Sequence, residues 1–259
     1  MADSSIVYLM YHELELPGRS LCQREPGYVR YVVREQNFQE QMAWLHSSNL
    51  TGVGVSQALH SPRPGSVAIT FDDGCETDLI VAVPLLRALN FGATFYITLN
   101  FLGQPGYMAP GQVRQLSDAG FDVGCHSMTH PYLTELDEVG LRREIVDAKT
   151  KLEQMIGRPV VSFSCPGGRW NRRVAEVAMQ GGYHSVATSR IAANTPSADP
   201  YALARVAIMR GTPLSSFKAT CLNHGLWKRQ LLTFAQMGAQ SMLGNTLYDR
   251  LRGIALGRG

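Results

Sequence analysis

Short β-like runs alternate with helical stretches along most of the 259 residues, and that rhythm leaves few architectures open. Runs with strand character occur at Ile6–Tyr11, Gly52–Val55, Val67–Phe71, Ala93–Thr98, Phe121–Cys125, Val160–Ser164, Ser185–Thr188 and Arg205–Ile208. Helical patterns lie between them, at Phe38–His46, Asp78–Leu89, Gly111–Ala119, Glu138–Ile156 and Arg172–Gln180. The clearest is Glu138–Ile156: Leu141, Ile145, Ala148, Leu152 and Met155 recur on one face, Thr134 is a candidate cap, and Gly157 with Pro159 stops it. Pro84 predicts a kink or a later helix start, because proline offers no N–H and clashes with the preceding turn. Repeated strand–helix units require parallel strands under helices, in an open doubly wound sheet or a barrel. A count of about seven units favours the α/β barrel. No dinucleotide fingerprint or phosphate loop follows a strand, which argues against a nucleotide-binding sheet.

From about Leu214 the pattern becomes helical only. Leu226, Trp227, Leu231, Leu232 and Phe234 form one apolar cluster, and Leu243, Leu247, Leu251 and Ile254 a second at helical spacing. The chain therefore divides into a barrel domain, residues 1–217, and a C-terminal helical extension, residues 218–259. The extension sets Lys218, Lys228, Arg229, Arg250, Arg252 and Arg258 against Asp249 alone, whereas the rest is slightly acidic. A cap packed on the barrel is the simplest use of such helices; peripheral contact with a membrane surface is the other. The net charge of +3 is too mild to argue for nucleic acid. No apolar run approaches the roughly 20 residues that span a bilayer, and the first residues lack the build of a signal peptide, so a cytoplasmic location is expected. Five cysteines without a C-x-x-C pair fit reduced thiols in that compartment.

Two stretches carry chemistry. "ITFDDG", Ile69–Gly74, ends a β-run with two adjacent carboxylates, Asp72 and Asp73. Their repulsion is costly unless a positive partner offsets it, and beside a divalent cation one can ligate while the other acts as a base. "CHSMTHP", Cys125–Pro131, ends another strand with His126 and, four residues on, His130. One helical turn would bring both imidazoles to a common side, at a spacing that suits zinc-like ions. Both stretches fall where (β/α) barrels build active sites. One carboxylate and two histidines leave coordination positions open, as a catalytic rather than a structural site requires.

Together, "TFDDG" and "HSMTH" resemble the first two motifs of the polysaccharide deacetylases with the NodB-type fold, carbohydrate esterase family 4. The similarity runs from about Ile6 to Phe217 and includes "ATFYI" and "GRPVVSFSCPGG". It implies a distorted (β/α)7 barrel holding a divalent cation, Zn2+ first among candidates, on Asp73, His126 and His130, with Asp72 as general base. The third family motif reads Arg-x-Pro-aromatic-Gly, whereas this chain has Ser164, Cys165, Pro166, Gly167 and Gly168. Arg169 and Trp170 are the nearest replacements for the missing guanidinium and ring. Gly167 is the expected backbone N–H donor to the oxyanion. The general acid is assigned to His12, in "VYLMYHE", ahead of His184 and His224. This follows the poly-N-acetylglucosamine deacetylase-like subgroup, in which an N-terminal Tyr-His supplies the acid and the third motif lacks its arginine. Cys75, Cys125 and Cys165 adjoin the motifs and read as small buried thiols rather than ligands.

The resemblance implies removal of acetyl groups from N-acetylated amino sugars of a polysaccharide or glycoconjugate, as in exopolysaccharide biosynthesis. A cytoplasmic enzyme would meet a lipid-linked or nucleotide-linked precursor. Two rival readings remain: a cyclic amide or imide hydrolase on the same barrel, and a degenerate, non-catalytic carbohydrate-binding module.

Overall fold

The computed structural model describes residues 5–226. All eight expected strands form: β1 (Tyr8–Tyr11), β2 (Thr51–Val53), β3 (Ser66–Phe71), β4 (Thr94–Ile97), β5 (Asp122–Cys125), β6 (Ser162–Ser164), β7 (Ser185–Ala187) and β8 (Val206–Ala207). They make one sheet in the order β8-β1-β3-β4-β5-β6-β7, every neighbour parallel, with β2 wedged beside the first half of β3. The sheet curls until its ends meet. Ala187 in β7 bridges Leu203, on the segment that leads directly into β8. The bridge is closed by Leu203 N–H donating to Val186 O and Thr188 N–H to Leu203 O, each at 2.9 Å. The result is the distorted (β/α)7 barrel, with thin pairing at the seam.

Strand alternation sorts the side chains into two cores. Leu9, Tyr11, Ile69, Phe71, Phe95 and Ile97 point outward and are sealed under the helices, in a cluster that also takes Leu141, Ile145 and Leu152. Each such side chain contributes about 1.5–3 kcal/mol by leaving water. Tyr8, Ala68, Tyr96 and Ala187 form a separate inner cluster. The barrel interior is small and partly polar, with Thr70, Ser162 and Ser164 buried among these residues. That leaves room for something large and charged.

Several helices differ in detail from expectation. The rod over Glu138–Ile156 is two α-helical pieces, Glu138–Arg142 and Ala148–Ile156, joined by a wide turn at Arg143–Asp147. Its cap is Asp137, whose carboxylate accepts from Gly140 N–H at 2.8 Å; Thr134 lies earlier, in a tight turn over Leu133–Glu135. A cap must sit immediately before the first helical residue for its oxygen to reach that N–H, and Thr134 is too far back. Gly157 ends the rod at φ 71°, as a left-handed C-terminal residue should. Pro84 falls in the first turn of the helix Val83–Ala88, after a wide turn at Asp78–Ala82, which matches the later start. Unforeseen is a parallel two-residue pairing of Leu14–Glu15 with Val33–Arg34.

The expected boundary at 217/218 falls inside a helix, Leu214–Cys221, which buries Phe217 against Trp44 at 5.9 Å between ring centroids. Beyond Leu226 the extension, including the Leu231–Phe234 and Leu243–Ile254 stretches and five of its six basic residues, lies outside the described residues. Among the described residues no helix is long and apolar enough to cross a membrane.

Candidate active site

The C-terminal strand ends converge on one mouth. β1 delivers His12, β3 delivers Asp72 and Asp73, β5 delivers His126, and β6 leads into Cys165–Gly168. The two aspartates part company there. Asp72 continues the inward alternation of Ala68 and Thr70, whereas Asp73 takes a left-handed backbone, φ 79°, followed by Gly74 at φ 84°. Non-glycine residues rarely accept that conformation, and where they do it marks a position held by its surroundings.

Beneath the mouth, Asp72 meets an arginine that the sequence reading did not assign. Arg205, fully buried at the start of the last strand, forks both oxygens of Asp72, Nη1 to Oδ1 at 2.7 Å and Nη2 to Oδ2 at 2.8 Å. Its remaining N–H groups reach Ser164 Oγ at 2.7 Å, Thr70 Oγ1 at 3.1 Å and Thr188 O at 2.9 Å, and its guanidinium lies 5.4 Å from the Tyr96 ring centre. Ser164, where the family motif has arginine, also donates to Asp72 Oδ2 at 3.3 Å. The guanidinium thus reaches Asp72 from another strand, through the space that a small residue in the third motif leaves open. Burial would raise the Asp72 carboxyl, but the Arg205 charge, helped by His126, overrides it and holds the group well below the usual carboxylate range. Asp72 is thereby oriented and held ionised. The expectation that Arg169 replaces the motif arginine is corrected: the fork on Asp72 belongs to Arg205, and the Arg169 guanidinium stacks 4.8 Å from the Tyr132 ring centre.

Above it, Asp73 lacks such compensation. Its Oδ1 is buried with no hydrogen-bond partner, and it lies 3.6 Å from His126 Nε2 and 3.5 Å from His130 Nε2. Burial lifts the Asp73 carboxyl to about 6, a rise that His12 opposes and the charge of Asp72 reinforces. His126 is pushed down to about 3, first by burial, against the pull of Asp72; burial also lowers His130. His126 Nδ1 lies 2.8 Å from Ser164 O. A carbonyl only accepts, so the proton sits on Nδ1 and Nε2 presents a bare lone pair to Asp73. An orphaned carboxylate oxygen and two neutral imidazoles, one ligand atom from each within 4.8 Å of the others, fit a divalent cation of the zinc class.

No helical turn brings the histidines together, contrary to expectation. Residues 126–130 form an irregular loop with positive φ at Ser127 (71°) and His130 (64°), and the imidazoles meet edge to face at 5.0 Å. The loop is held from behind by Glu144, in the wide turn Arg143–Asp147. Glu144 accepts from Met128 N–H at 3.0 Å, Thr129 N–H at 2.8 Å and Thr129 Oγ1 at 2.7 Å. Sequence patterning gives Glu144 no distinction, since a glutamate in a helix is ordinarily a solvated one.

The other candidates occupy distinct places. His12 is half-buried, its Nδ1 without a partner, its ring 4.9 Å from Tyr31, and its charge acts on both Asp73 and Asp72. Gly167 (φ 59°) and Gly168 (φ 66°) shape the turn after β6; a Cβ on Gly168 would lie 1.8 Å from Ser189 Oγ. Gly167 is covered by Tyr132, whose Cε1 is 3.0 Å from where a Cβ would stand, so the ring over this turn comes from a neighbouring loop. Trp170 is 37% exposed and anchored by its Nε1–H to Tyr201 O at 2.7 Å. His184 begins β7 at the far end of its strand, and His224 is exposed beyond Cys221; neither joins the constellation. Cys75, Cys125 and Cys165 are buried and outside any disulfide.

Comparison with known proteins agrees with this geometry. The family model described as polysaccharide deacetylase matches residues 60–186. The YxkH protein of Bacillus subtilis is 28% identical over 82% of this chain and 74% of its own length. A peptidoglycan-N-acetylglucosamine deacetylase of Bacillus cereus is 33% identical over 46% of this chain, which spans about half (54%) of that relative. Among solved structures, the Streptococcus pyogenes deacetylase PplD, in complex with acetate, superposes with a TM-score of 0.74 at 19% identity, covering 85% of this chain and 99% of that one, a likeness of fold. With the barrel, the paired aspartates and the two histidines in these positions, the chain is similar to the polysaccharide deacetylases with the NodB-type fold, a family of carbohydrate-acting hydrolases.

Proposed function

We propose that this protein is a metal-dependent deacetylase of N-acetylated amino sugars in a polysaccharide or glycoconjugate. The observation that carries the proposal is the juxtaposition of an uncompensated Asp73–His126–His130 cluster with a neighbouring carboxylate that Arg205 keeps ionised. Asp73, His126 and His130 would hold the cation. When bound, a zinc-like ion supplies Lewis acidity, lowering the pKa of water from 15.7 towards about 7 and polarising a carbonyl.

The remaining tasks fall to the chain itself. Asp72 accepts a proton from the attacking water; Arg205 fixes its orientation. Gly167 N–H donates to the oxyanion that develops as the acetyl carbonyl becomes tetrahedral. His12 gives its proton to the sugar nitrogen as the C–N bond breaks, so acetate and a free amine leave. Tyr132 and Trp170 offer aromatic surface beside the mouth for a sugar ring. The N-terminal histidine and the third motif without arginine support placement near the poly-N-acetylglucosamine deacetylases. A cytoplasmic site of action on a linked precursor belongs to the same proposal.

The test is acetate release from N-acetylated oligosaccharides, with chelator and with metal restored. Activity is expected to vanish with chelator, and to fall about 10²–10⁴-fold in Asp72→Asn and in His12→Ala. Undiminished turnover in both variants would refute the assignment, and ring opening of a cyclic imide without acetate release would redirect it.

A further inference from the structure

A second cluster of ligand-type atoms lies behind the first. Glu13, directly after His12, Cys22 in the following loop, and Cys75, two residues past Asp73, present a carboxylate and two sulfurs within 4.8 Å of one another. The sulfurs are 3.6 Å apart. A disulfide would bring them to about 2.0 Å. Two thiolates on one tetrahedral zinc, each at about 2.3 Å, stand about 3.8 Å apart, close to what is seen. Tyr28 Oη completes the ring of polar atoms, 3.0 Å from Glu13 Oε2 and 3.4 Å from Cys75 Sγ, and Cys22 N–H donates to Glu13 at 3.0 Å.

A buried carboxyl next to Cys75 along the chain also lacks a partner. Asp78 is fully buried, and neither of its oxygens has a hydrogen-bond partner. Four acids, Cys22, Asp73, Glu13 and Asp72, act on it electrically. Burial and these neighbours lift Asp78 well above the carboxylate range. Arg19, a cation acting on Glu13, is paired with Glu76. Unpaired carboxylates do not persist in an interior without neutralisation by a proton or a cation.

We propose that Glu13, Cys22 and Cys75 form a second cation site, specific for a thiolate-binding divalent ion of the zinc class and distinct from the cluster at Asp73. Cys22 is half-buried, which gives the ion a route in. The site ties the loop carrying Cys22 to the ends of β1 and β3, and so braces the backbone that presents His12 and Asp73. It does not depend on the deacetylase reading.

Cobalt(II) distinguishes the two sites, because thiolate ligation produces a near-ultraviolet charge-transfer band that a carboxylate–imidazole site lacks. Freshly reduced full-length protein loaded with Co2+ is expected to show that band and to bind about two ions per chain. Cys22→Ser, its fold checked by circular dichroism, should lose the band and keep about one ion. Absence of the band in the wild-type protein, or its survival in Cys22→Ser, would overturn the proposal. Failure of the deacetylase reading would show instead as absent acetate release with the band intact.

Discussion

Two neighbouring regions of this barrel hold the same chemical group in opposite ways. Below the mouth, Asp72 is gripped by Arg205 and Ser164 and stays ionised. At the rim, Asp73 has an orphaned oxygen, two neutral imidazoles, and a carboxyl lifted to about 6. Sequence adjacency says nothing of this; the left-handed backbone at Asp73 sends one carboxylate inward to the Arg205 guanidinium and the other outward to the two imidazoles. The lesson is that electrostatic completeness, rather than residue type, separates the two carboxylates and underlies their proposed division into base and ligand.

The sharpest way to break the contrast is to neutralise each aspartate in turn. Asp72→Asn should lower turnover by about 10²–10⁴-fold while bound metal is retained. Asp73→Asn should abolish turnover by losing the metal. Equal metal content in the two variants, by elemental analysis, would erase the proposed division of labour. Removing the inner partner comes next. Arg205→Met leaves Asp72 buried without its counter-ion and should cost about 3–5 kcal/mol of stability, measured by chemical denaturation. Arg205→Lys keeps the charge without the fork, so it should recover part of that loss but little activity.

pH separates the same pair. Asp72 has a depressed folded pKa, so its stabilisation is fully present above the unfolded value near 3.8 and disappears only in stronger acid. Asp73 is raised, so in metal-free protein its favourable contribution exists below 3.8 and is lost as pH climbs through about 6. Metal-free Asp73→Asn should therefore exceed metal-free wild type in stability near neutral pH, by at most about 3 kcal/mol at about 1.4 kcal/mol per pH unit. The gap should close on acidification towards the unfolded value. Denaturation curves in chelator at several pH values would show this, and a pH-independent gap would contradict it.

What the sequence made legible was whatever is local. The strands, the parallel barrel and the Asp72–Asp73 and His126–His130 pairs each follow from spacing within a few residues, and the barrel rule then places them at one mouth. Arg205 was missed because its partner is 133 positions away. A signal existed, though: an arginine opening the buried run Arg205–Ile208 must find a carboxylate, and Asp72 lacked its motif arginine. Local reasoning instead favoured Arg169, adjacent in sequence but stacked on Tyr132. The loop over residues 126–130 was misread as a turn of helix because i, i+4 spacing does not reveal positive φ at Ser127 and His130.

That loop offers the finest test of the contrast. Glu144 touches neither carboxylate; it holds the main chain at Met128 and Thr129, and through it the placing of His130 relative to Asp73. Glu144→Gln keeps the shape and one carbonyl acceptor but gives up the charge, weakening bonds that are each worth about 1.5–3 kcal/mol when charge-assisted. If rim and interior are separately supported, metal affinity should fall about 10–100-fold, as when a group supporting a ligand is altered. Turnover at saturating metal should stay near wild type, because the Arg205–Asp72 fork is untouched. Metal titration followed by acetate release at saturation measures both quantities on one sample. A loss of turnover that excess metal does not restore would mean that Glu144 also supports Asp72, and rim and interior would have to be treated as one unit.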